Sequence, residues 1–172
     1  MTNTSQPKIY FAAPLFNPME RKFNADIASR MGQFCTVFLP QRDGLLMTEL
    51  VRNGMAVEKA RKQVFAADCK AVSDCDALVA VLDGRTIDEG VAFEIGYANA
   101  SLKPCIGLKT DDRSMLPTGD NPMIVEACSR IFHHPDELIA YLSTWVSELS
   151  SISHRSLPRT QHAGRPTGKT TN

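Results

Sequence analysis

The chain has 172 residues, 43% hydrophobic and 22% charged, with nineteen Lys and Arg against nineteen Asp and Glu. That length makes a single domain that buries roughly 70% of its unfolded surface and needs neither disulfides nor a structural metal for its core. Zero net charge removes a whole-chain electrostatic case for nucleic acid or an anionic membrane, and no apolar stretch reaches the ~18 residues of a membrane span.

The first eight residues lack the apolar run of an export signal. Lys8–Ala13 reads as a strand, and Pro14 and Pro18 open the loop that follows. Phe23, Ile27 and Met31 recur at helical spacing, and Cys35–Leu39 is a second strand ending at Pro40. Beyond an ambiguous segment, Glu58–Ser73 is a helix feeding Ala77–Leu82. That unbroken apolar run suits a strand covered on both faces. The loop Asp83–Glu89, a helix over Gly90–Leu102, strands at Pro104–Leu108 and Arg130–Phe132, and a helix over Pro135–Leu149 complete the pattern. Alternation of this kind predicts an α/β fold, a single-domain open parallel sheet of the flavodoxin or Rossmann type with helices on both faces. Ligands of such sheets sit beyond the carboxyl ends of the strands, here the loops after Ala13, Leu39, Leu82 and Leu108.

The domain is expected to span residues 1–150. Residues 151–172 contain Arg155, Arg159, Arg165 and Lys169, no acid and little that is apolar, and read as a disordered basic tail. Without those four the remainder has fifteen basic residues against nineteen acidic, an acidic domain of about −4. The five cysteines, Cys35, Cys69, Cys75, Cys105 and Cys128, are odd in number and form no C-x-x-C, so they read as reduced core thiols of a cytoplasmic protein. No metal or organic cofactor is expected: G-x-G-x-x-G, the P-loop, G-x-S-x-G and H-E-x-x-H are all missing. Of the histidines, His133 and His134 stand just before the last helix and His154 and His162 lie in the tail, and no histidine base is expected.

Glu94 is the one charged residue on the otherwise apolar or small helix Gly90–Leu102. An idle carboxylate would be costly there. Asp88 lies six residues upstream and Asp68 on the preceding helix, so three acids can converge, although Asp88 as a helix N-cap and Asp68 on a solvated face is the plainer alternative. Close carboxylates in different environments are the working parts of enzymes that cleave glycosidic bonds.

In four places the chain resembles the nucleoside 2-deoxyribosyltransferases. These are Ile9–Pro18, Asp68 with Cys75–Leu82, the run Asp88–Ala98 with its pattern D-x-G-x-x-x-E-x-G-x-A, and Asn121–Ile124. The resemblance implies that Glu94 attacks the anomeric carbon of a 2′-deoxynucleoside to form a covalent ester, with Asp68 as general acid and base toward the nucleobases. It implies that Tyr10 holds the Glu94 carboxylate, and that Asp88 and a neighbouring subunit's Asn121 bind the sugar hydroxyls. Phe16, Arg42 and Asp43 would frame the base, and a homo-oligomer, at least a dimer, is required. Two rivals remain. The related 2′-deoxynucleoside 5′-monophosphate N-glycosidases need a phosphate cradle after the first strand, whereas this turn, Ala12–Pro18, has no Ser, Gly or Arg. A non-catalytic nucleotide-sensing module would have no need of three acids.

Overall fold

The structure, a computed structural model, describes residues 6–155. Five parallel strands form one sheet: β1 (Lys8–Ala12), β2 (Thr36–Phe38), β3 (Ala77–Val81), β4 (Cys105–Leu108) and β5 (Arg130–Phe132), in the order β2-β1-β3-β4-β5. Helices α1 (Pro18–Met31), α4 (Val57–Ser73), α5 (Glu89–Ala100) and α7 (Pro135–Arg155) cover its faces. Three short helices, α2 (Pro40–Asp43), α3 (Met47–Arg52) and α6 (Pro122–Val125), sit in the connections. The expected α/β class and open parallel sheet are found, with β1 pairing β3 at the point where the chain reverses direction across the sheet.

Side chains alternate across a strand, and that parity divides the core. Ile9, Phe11, Val79 and Val81 face α1 and α7, meeting Ile27, Met31, Leu138 and Leu142. Tyr10, Ala12, Leu78 and Ala80 face the other way, against Val72 of α4 and Val91 and Ile95 of α5. β3 is buried along its whole length, as its unbroken apolar run predicts. Each large side chain so buried contributes about 1.5–3 kcal/mol. The same parity aims Tyr10 at the layer that carries Glu94.

Helix starts are set by caps. Asn17 accepts from the Met19 and Glu20 amides and Glu20 reaches back to the Asn17 amide, so α1 begins at Pro18 and not where its apolar stripe starts. Asp88 caps α5.

α7 continues to Arg155, so the boundary expected at residue 150 falls inside a helix; residues 156–172 of the expected tail lie outside the described residues. The ambiguous segment after β2 contains α2 and α3, each too short to show helical periodicity. The cysteines are all free, but only Cys35, Cys75 and Cys105 are buried, while Cys69 and Cys128 are half-buried. Among the described residues no helix is long and apolar enough to cross a membrane.

Candidate active site

The loops after β1 and β2 wall a groove of about 270 Å³ whose floor is formed by α4 and the first turns of α5. Leu15 and Phe16 come from the first loop, and Pro40, Leu45 and Met47 from the second. Asp68 of α4, Asp88 at the α5 cap and Glu94 one and a half turns along α5 all enter it. Both readings of Asp88 therefore hold together. Its Oδ1 accepts from the Gly90 and Val91 amides at 2.9 and 3.1 Å, and the residue still lines the groove. Gly90 belongs there for a local reason: a Cβ would stand 3.0 Å from that Asp88 Oδ1.

Tyr10 approaches from inside the sheet. Its side chain is completely buried, stacks on Phe38 with ring centroids 5.4 Å apart, and donates its hydroxyl to Glu94 Oε1 at 2.5 Å. Burial, and then the neighbouring Glu94 and Asp68 carboxyls, hold the Tyr10 pKa far above its usual range, so the phenol remains a donor. Glu94 responds to opposing effects. Desolvation raises its pKa, the Tyr10 hydrogen bond lowers it, and the charges of Asp68 and Asp88 raise it; the result is about 7. Burial also pushes the Asp68 carboxyl above the ordinary carboxylate range. Burial raises both carboxyls, and the charge of Asp68 adds to the rise at Glu94, so the two titrate as coupled neighbours.

Five of the eight residues singled out in the sequence thus meet here: Glu94, Asp68, Asp88 and Phe16 in the groove and Tyr10 against Glu94. The remaining three do not. Arg42 and Asp43 face each other in a two-pronged pair, Nε to Oδ1 at 2.9 Å and Nη2 to Oδ2 at 2.7 Å. Arg42 also donates to the Val37 carbonyl and Asp43 accepts from the Leu39 amide, so both close off the end of β2 and neither lines the groove. In this arrangement the two charges are paired with each other at the end of β2. Asn121 caps α6 and lines a different cavity of about 280 Å³ with Leu82, Arg85, Asp120 and Ile124. The loop after β4 belongs to that second cavity because β4 lies two strands from β1. Leu45, Met47 and Val64 were not singled out in the sequence, although they line the groove; the apolar spacing of α4 includes Val64, but nothing local marks the other two.

Comparison with known proteins gives a consistent picture. Residues 9–141 match the family model described as nucleoside 2-deoxyribosyltransferase. Among solved structures, a conserved protein from Enterococcus faecalis is 28% identical, superposes with a TM-score of 0.70, and is covered over 99% of its length by 82% of this chain. A 2-deoxyribosyltransferase from the psychrotolerant bacterium Bacillus psychrosaccharolyticus is 24% identical with a TM-score of 0.63, over 78% of this chain and 95% of that one. The CMP N-glycosidase of Clostridium botulinum, 18% identical with a TM-score of 0.52, shares the fold over 78% of this chain and 97% of its own. No curated protein matches the chain.

Proposed function

The chain belongs to the nucleoside 2-deoxyribosyltransferase family, and we propose that within it this protein transfers 2-deoxyribose from one nucleobase to another through an ester on Glu94. The observation that carries the reading is the Tyr10–Glu94 hydrogen bond, at 2.5 Å, on a carboxyl that shares its groove with Asp68. In the first step a Glu94 carboxylate oxygen bonds to the anomeric carbon while the bond from that carbon to the base nitrogen breaks. The bonding pair leaves with the base, and Asp68 supplies the proton that neutralises it. The second step is the reverse with a new base, whose proton returns to Asp68. Tyr10, always a donor, holds Oε1 and orients the carboxylate.

A 2′-deoxynucleotide N-glycosidase would follow the same first step, with water as acceptor. The groove supports the nucleoside reading instead, because Asp68, Asp88 and Glu94 enter it and, among the described residues, no Lys or Arg lines it. A 5′-phosphate would meet like charge with no compensating cation. The free edge of Asp88 suits a sugar hydroxyl. A sensing module would carry the cost of partly buried acids for no chemistry.

We further propose an assembly of at least two copies. α5 turns Val91, Ile95 and Ala98 into the core yet leaves Phe93 48% exposed on its outer side, near Phe65, itself 57% exposed. A helix apolar on both sides is one that expects a partner. Asn121, which does not line its own groove, is available to a neighbour's. Incubation with 2′-deoxyinosine, with and without adenine, tests the function. New deoxyadenosine supports transfer, and free deoxyribose alone supports hydrolysis.

A further inference from the structure

We propose that the buried amide of Asn24, together with Gln41, is a positioning device that sets the separation of the two loops forming the base-binding end of the groove. The proposal rests on the transferase reading above, in which the base lies by Phe16. Asn24 is 1% exposed and stands in the core-facing stripe of α1 with Ile27, Ala28 and Met31. An amide there costs helix propensity and desolvation that an apolar side chain would avoid, so its hydrogen bonds define what it does.

Both bonds leave the helix, and they go to different loops. Nδ2 donates to the Pro14 carbonyl at 2.8 Å, in the loop that carries Leu15 and Phe16. It also donates to Gln41 Oε1 at 3.0 Å, beside Pro40 of the second wall. A carbonyl can only accept, which fixes the orientation of the Asn24 amide. Gln41 then returns its own Nε2 to the Arg21 carbonyl at 2.8 Å, closing a bridge from α1 to α2.

The rest of the same helix face completes the brace. Asn17, Glu20, Arg21 and Asn24 follow helical spacing. Glu20 accepts from the Phe16 amide at 2.7 Å, and Arg21 donates to the Leu15 carbonyl at 3.0 Å. Phe16, though 74% exposed, thus sits on backbone held at three points. A flat base between apolar walls is sensitive to their spacing, since a gap of about 0.5–1 Å forfeits a quarter to a half of each dispersion contact. The brace sets that spacing without touching the substrate.

The test compares Asn24→Leu, Gln41→Leu and Gln41→Glu with the wild-type protein, loaded from 2′-deoxyinosine and offered adenine. Deoxyadenosine and free deoxyribose are quantified together. The two leucine variants should raise the KM for adenine and shift the partition of the loaded sugar toward water by about 10-fold, the weight of a lost hydrogen bond or two. Gln41→Glu keeps an oxygen toward Asn24 and should recover part of the loss. A merely structural role lowers transfer and hydrolysis in proportion, and an unchanged partition in folded protein overturns the proposal. Should Asn24→Leu fail to fold, Gln41→Leu, at a half-buried position, gives the same readout. Wild-type protein that makes no deoxyadenosine overturns the transferase reading, and the nucleoside KM of the same variants then decides the brace separately.

Discussion

The Tyr10 hydroxyl donates to Glu94 Oε1 at 2.5 Å across 84 positions of sequence, joining β1 to the helix that follows β3. Because this bond favours the charged carboxylate while burial and the Asp68 and Asp88 charges oppose it, the Glu94 pKa reports on all of its neighbours.

Tyr10→Phe removes the one influence that lowers the Glu94 pKa, so the acid limb of sugar loading should move to higher pH. Asp68→Asn removes a charge that raises it, and the limb should move lower. Profiles of p-nitrophenol release from p-nitrophenyl 2-deoxyriboside between pH 5 and 9 measure both. Shifts of the same sign in the two variants would contradict the arrangement.

Glu94→Ala should abolish transfer while leaving a folded oligomer, and a quench during turnover of a 2′-fluoro-2′-deoxynucleoside should leave a sugar mass on the Glu94 peptide of the wild-type protein. Near-wild-type turnover by the variant, or an adduct on another peptide, would move the nucleophile elsewhere.

Glu94→Gln carries a stability signature as well. With a folded pKa of about 7 against an ordinary 4.5, Glu94 binds more proton in the folded state, so its stability contribution is complete below pH 4.5 and is lost as pH rises through 7. Glutamine has no such loss. The variant should gain about 3 kcal/mol relative to wild type at pH 8 and little at pH 4, read by thermal melts at both values. A pH-independent difference would show that Glu94 ionises without penalty.

Asp68→Asn keeps the volume of the side chain but cannot exchange a proton. Transfer between natural bases should fall by ~10²–10⁴-fold, the usual range for general acid catalysis. Loading from p-nitrophenyl 2-deoxyriboside, whose leaving group needs no proton, should be spared. Equal losses on both substrates would reduce Asp68 to a positioning role.

Mixing inactive protomers tests the shared site. If Asn121 serves a neighbour, an assembly of Glu94→Ala and Asn121→Ala chains contains one intact site, formed by Glu94 of one chain and Asn121 of the other, and regains transfer. If Asn121 acts within its own chain, no mixture recovers activity.

The sequence by itself determined the order of strands and helices, because each long element carries its own period. It also marked Glu94 as the one charge on an apolar helix, while the pairing of Tyr10 with Glu94 came from the family resemblance and is realised by the parity of β1. The Asp88 cap followed from local rules, whereas those rules left Asp68 between a solvated face and the groove that it lines. The tertiary structure alone decided what the chain's other polar groups do. Arg42 and Asp43 pair with each other because the turn of α2 brings their side chains together at the end of β2. Asn121 lies outside its own groove because the order β2-β1-β3-β4-β5 sets the β4 loop two strands from β1, and strand order leaves no local trace. The Asn24–Gln41 bridge was equally hidden, since a buried amide declares its purpose only through partners that folding brings to it.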